Sequence, residues 1–142
     1  MYSGRFQVNF GDAESGYYNA STYLGKKETY SLGVSYTAQA DATIEVDTGK
    51  AVDYSLLTVD GFIEQPIGNG TLSAEAAYSK MELDGAGLLQ TANIGTFDSV
   101  RLGFTYFMKG QNLNLKAGIE KTNFDWNDKS DTSFVLGAYV NF

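Results

Sequence analysis

Cysteine and histidine are both absent from this 142-residue chain. Without cysteine, no disulfide framework and no thiolate site can form. Without histidine, the commonest general base and the commonest transition-metal ligand are missing. That excludes a Ser-His-Asp hydrolase and a His-ligated zinc centre. Proline occurs once, at Pro66, so almost nothing in the composition interrupts extended backbone. Cations are scarce: 10 Lys and Arg stand against 17 Asp and Glu, a net charge of -7, which argues against nucleic acid as a partner. No apolar run reaches the roughly 18 residues of a transmembrane helix. The opening stretch MYSGRFQVNF carries no secretory signal and reads as mid-strand from its start. The simplest expectation is that Met1 is an artificial start, or begins an internal fragment or a truncated gene.

What the chain does have is glycine and aromatic side chains: 16 Gly, 10 Tyr and 9 Phe. Aromatics favour strands, and glycine favours turns and close packing between strands. Seven segments alternate with a period of two: residues 5–10, 29–37, 55–65, 71–80, 99–109, 113–121 and 133–142. In the first, Phe6, Val8 and Phe10 share one face, and Arg5, Gln7 and Asn9 the other. In the fifth, Val100, Leu102, Phe104, Tyr106 and Met108 oppose Arg101, Gly103, Thr105, Phe107 and Lys109. The last carries Phe134, Leu136, Ala138, Val140 and the terminal Phe142 on one face. Side chains alternate across a strand, so each segment has one greasy face. Nearly every charge falls on the other.

The connections are expected to alternate in length. Residues 66–70 and 110–112 are short and rich in turn formers, whereas 38–54, 81–98 and 123–132 are longer and polar. Short turns at one end and long loops at the other are the organisation of an outer-membrane barrel. Residues 11–28 break this rule: they are long at the short end, and Tyr17, Tyr18 and Tyr23 could join an aromatic girdle or fold inward. Residues 42–46 offer an additional strand or, more readily, an extension of a hairpin. An odd strand count leaves edges unpaired, so an eighth strand or a larger barrel is implied. The fold class expected is all-β, an antiparallel transmembrane β-barrel of about seven to eight strands, with residues 1–142 forming one unit or one segment of it.

The segments RFQVNF (5–10), YYNASTYLGKK (17–27), TVDGFIEQPIGNGTLSAEAAY (58–78) and FTYFMKGQNLNLKAG (104–118) resemble, in order and spacing, the C-terminal part of the phosphate-selective porin O/P family of Gram-negative bacteria. The resemblance implies a water-filled barrel of about sixteen strands in the bacterial outer membrane. It implies a homotrimer among lipid and lipopolysaccharide, passing small polar solutes or anions such as phosphate.

Pore-lining candidates on the polar faces are Arg5, Asp60, Glu64, Glu75, Arg101, Lys116 and Glu120. Lys109 and Lys121 are assigned to the same faces. Rings of such charges set ion preference in pores, although interspersed signs also allow the cations simply to pair with the acids. Gly33, Gly103, Gly118 and Gly137 are expected to leave space in the lumen. The loop acids Asp41, Glu45, Asp47, Asp125, Asp128 and Asp131, with Asn127, are oxygen-rich enough to consider calcium or lipopolysaccharide bridging. They lack the EF-hand pattern and fit a solvated loop better. No catalytic residue, metal or cofactor is expected, and the chain does not read as an enzyme. The alternative is a small closed barrel with a structural, anchoring or adhesion role and no open pore. A soluble β-sandwich would carry more Lys and Glu opposite each apolar stripe than the Gly, Ser, Thr and Asn seen here.

Overall fold

The computed structural model describes residues 1–12, 22–45, 48–84, 96–108, 112–125 and 128–140. Seven strands follow one another: β1 (Tyr2–Gly11), β2 (Thr29–Ile44), β3 (Ala51–Ile67), β4 (Gly70–Asp84), β5 (Phe97–Phe107), β6 (Leu113–Phe124) and β7 (Lys129–Val140). Each pairs antiparallel with the next in a single sheet of order β1 to β7. No helix occurs among the described residues. All seven expected strands are present, and most are longer than their period-two cores.

The extra length comes from hairpins. Residues 42–46 do not make a new strand: β2 continues to Ile44, pairing Thr43 with Val52 and Ile44 with Ala51. The register slips between Gln39 and Thr43, where Asp41 takes a positive φ of 52° and its amide donates to the Asp53 carboxylate at 3.0 Å. The β3–β4 turn is tighter than residues 66–70 suggest. Ile67 already pairs with Gly70, leaving Gly68 and Asn69 as the turn. Gly68 has φ +60°, the left-handed first position that a type II′ hairpin turn demands. The β6–β7 loop is also shorter than expected, because Phe124 pairs with Lys129.

The sheet is not closed. In a meander of seven strands the first and last run parallel, so β1 and β7 could meet only through an irregular parallel seam or an added strand. Both outer edges stay unpaired among the described residues.

The distribution of burial is inverted relative to a water-soluble domain. Among the described residues Val52 is the only buried hydrophobic side chain, whereas Thr29, Glu64, Thr71, Ser73 and Asn114 are buried polar ones. Phe6, Leu32, Val59, Val100, Phe104, Leu115 and Phe134 stand exposed, and Leu136 reaches 86 %. Register explains the pattern. One face aligns Val8, Leu32, Gly61, Ala76, Leu102, Ile119 and Phe134 in a row across all seven strands. The opposite face aligns Gln7, Gly33, Asp60, Ala77, Arg101, Glu120 and Ser133.

Glycine at Gly70 is required by contact. A β-carbon there would meet the Phe107 carbonyl oxygen at 2.4 Å, and a paired backbone cannot step aside. Gly70→Ala is expected to lower stability by about 1–3 kcal/mol. The shift is readable as a lower denaturant midpoint, with Gly33→Ala as the comparison: there the obstructing atoms belong to side-chain ends, chiefly the Arg5 guanidinium, and the cost should stay below about 1 kcal/mol.

Candidate functional site: the polar face

The polar face carries a groove of about 420 Å³, whose lining includes Phe62, Glu75, Arg101, Lys116 and Ser133. Thr22, from the β1–β2 connection, lines the same groove. Strand alternation alone brings these side chains to one surface. Register and reach decide which of them touch.

Arg5 and Asp60 are not neighbours in the ladder, because β2 lies between β1 and β3. Their side chains meet over Gly33. Arg5 Nη1 donates to Asp60 Oδ2 at 2.6 Å and Nη2 to Oδ1 at 2.7 Å, a bidentate fork. A β-carbon at position 33 would lie 2.3 Å from Nη2, so glycine makes the seat for this pair. Arg5 Nη2 also donates to Gln7 Oε1, and Gln7 Nε2 to Asn9 Oδ1. A polar ladder therefore runs down β1. Arg101 reaches across its own rung to Glu120, with Nη2 3.2 Å from both carboxylate oxygens.

Glu75 lies over Gly103, its Oε1 2.8 Å from where a β-carbon would be. The space expected above Gly33 and Gly103 is thus taken by the charged side chains of neighbouring strands. Gly137 has nothing within 4 Å of such a position. Neither Glu75 nor Lys116 has an ion-pair partner among the described residues.

Glu64 is the departure. It sits on the polar face as expected, but it is 0 % exposed and does not line the groove. Its Oε1 accepts from the Tyr23 amide at 2.7 Å and the Gly25 amide at 3.4 Å. Its Oε2 accepts from Thr22 Oγ1 at 2.6 Å and Ser73 Oγ at 2.8 Å. Three of the four donors come from the β1–β2 connection, so Glu64 holds that segment against the sheet. Locally the segment is a tight turn. Lys26 N donates to Tyr23 O at 3.2 Å, and Leu24 and Gly25 between them have φ of 54° and 77°, as in a type I′ turn. The Tyr23 backbone is thus held at Glu64, and Lys27 lies over the Tyr23 ring at 4.8 Å. Tyr17 and Tyr18 lie outside the described residues. At the base, Asp12 N donates to Glu28 O at 2.9 Å and Glu28 N to Asp12 Oδ2 at 3.0 Å.

Lys121 belongs to the other face. It pairs with Val100, sharing the parity of Leu115 and Ile119, and its expected place beside Lys116 is wrong. It is tolerated because the apolar rows end there: Lys80 pairs with Glu82 at 2.6 Å, and Asn123 Nδ2 donates to Asp98 Oδ2 at 2.9 Å. At the opposite end, Tyr30 donates its hydroxyl to Gln65 Oε1 and Tyr106 to Ile67 O, both at 3.1 Å. Lys109, Asp47 and Asn127 lie outside the described residues. Among the described residues no three acidic groups gather as a metal would need.

No protein-family model matches the chain, and neither a curated protein nor a solved structure matches it.

Proposed function

We propose that the chain is part of an outer-membrane porin, a passive diffusion channel for small polar solutes. One observation carries the reading: the apolar side chains line one exposed face of the sheet, and the other face carries the groove and the buried polar Glu64, Thr71, Ser73 and Asn114. Burying apolar surface away from water is the dominant favourable term in folding, so a stable sheet with this inverted pattern implies lipid as the outer solvent. From Val100 in β5 to Met108 just beyond its end, the apolar run rises ~27 Å. A strand tilt of roughly 40° reduces this to ~21 Å, near the roughly 25 Å apolar band of an outer-membrane barrel. The tyrosine hydroxyls of Tyr30 and Tyr106 at one end, and Lys80, Asp98 and Lys121 at the other, suit the two lipid–water interfaces.

The two open edges support a barrel completed by further strands, in keeping with the porin O/P resemblance, its larger barrel and its trimer. The wall charges favour weak selectivity over a strict preference for phosphate. Arg5 and Arg101 are neutralised by Asp60 and Glu120, which leaves Lys116 opposed by Glu75. No residue is assigned a catalytic role.

Purified protein in a planar bilayer should give discrete conductance steps, with an anion-to-cation permeability ratio near unity. Lys116→Glu should move the reversal potential toward cations, about twofold in that ratio. A heat-modifiable protein that inserts but never conducts would favour the closed, packed barrel instead.

A further inference from the structure

The β1–β2 connection is far longer than its task. Gly11 and Thr29 face each other directly in the ladder, so a two-residue turn would join them. Residues 12–28 fill that place, and their described part does not hang free. Thr22, Tyr23 and Gly25 are fastened to Glu64. Gly25 packs against buried Thr71, whose hydroxyl would lie 2.5 Å from a β-carbon at that position. Thr22 lines the groove that extends to Ser133 on β7. Residues 22–25 therefore lie against the polar side of the sheet.

A buried carboxylate is costly unless every oxygen is satisfied. Here two backbone amides and two hydroxyls do so, which is a built anchor, not a chance loop contact. It also uses a bulky residue, Leu24, at positive φ, a conformation that costs free energy and persists only where surroundings enforce it.

We propose that residues 22–28 form an internal strap that narrows the pore at its short-turn end, and that Glu64 is the positioning residue that holds it there. This rests on the porin reading. Thr22 of the strap lines the same groove as Arg101, Lys116 and Glu120, so solutes pass beside those charges, and their size limit is set by the docked strap.

The test uses the full chain and two variants. In one, residues 12–28 are replaced by Asn-Gly; the other is Glu64→Gln. In planar bilayers the short-turn variant should roughly double the single-channel conductance and admit larger sugars in liposome swelling, with Glu64→Gln between it and the parent. A Lys-specific protease reports docking without reference to conduction. Cleavage after Lys26 or Lys27 should be slow in the parent and at least tenfold faster in Glu64→Gln. A conducting parent whose step size is unchanged in the short-turn variant overturns the strap while leaving the porin reading in place. Equal cleavage of parent and Glu64→Gln overturns the role of Glu64. Silence of every protein in the bilayer removes the porin reading, and the strap as a pore element goes with it.

Discussion

On the proposed outer-membrane reading, Leu102→Arg is expected to remove most of the folded, inserted protein. Leu102 lies mid-strand on the apolar face, in register with Ala76 and Ile119, and its side chain is exposed. In water an arginine there would be harmless, and on a soluble sheet it would improve solubility. On the proposed reading it would face hydrocarbon near mid-membrane, where it costs about 2–4 kcal/mol, a large share of the stability of an ordinary domain. Two neighbouring rows separate these cases. Ser133→Arg puts the same charge on the polar face, beside Glu120, and should leave folding intact. Lys121 already shows a cation near the end of the apolar rows. The measurement is urea unfolding from lipid vesicles, followed by the heat-modifiable gel shift. Equal tolerance of arginine at positions 102 and 133 would refute the membrane assignment.

Glu64→Leu should be the most destabilising change on the polar face. The carboxylate serves the Thr22 and Ser73 hydroxyls and the Tyr23 and Gly25 amides at once. Removing it orphans all four, and a buried unsatisfied polar group costs about 1–3 kcal/mol. The costs will not simply add, because residues 22–28 can leave the sheet and hydrate. The loss is then capped near the free energy of docking plus the hydroxyl of Ser73, which stays buried on β4. A total of about 2–4 kcal/mol is expected. Asp60→Leu makes the contrast: the Arg5 it abandons is half-exposed and can turn to water, so the change should cost about 1 kcal/mol or less. Comparable midpoints for the two variants would mean that Glu64 is not the anchor described.

The two outcomes also mark how much could be read before any coordinates. The seven strands and the assignment of Leu102 and Ser133 to opposite faces follow from alternation alone. That period is local, and it needs no knowledge of neighbours. Strand ends were less legible. Pro66 and Ile67 carry turn-like signals yet remain paired with Thr71 and Gly70, because Pro66 falls next to a hairpin where a missing amide donor is tolerated. The charge of Lys121 suggests the polar face, whereas its spacing from Ile119 puts it on the apolar one. Here period was the better guide than polarity.

Glu64, by contrast, looks in the sequence like any other acidic residue on a polar face, equivalent to Glu75 or Glu120. What distinguishes it is that Thr22, Tyr23 and Gly25, some 40 positions earlier, fold back onto it. Residues 11–28 were marked as anomalous by length, but length cannot say whether a connection leans outward or inward. The same holds for the Arg5–Asp60 fork, which spans an intervening strand and exists because position 33 has no side chain. Faces, strand number and the inside-out distribution of polarity were thus determined by the sequence, since each rests on short-range alternation and on solvent preference. The fastening of residues 22–25 to Glu64 and the Arg5–Asp60 and Arg101–Glu120 pairs were decided only by tertiary structure, since each depends on register across several strands or on where a long connection comes to rest.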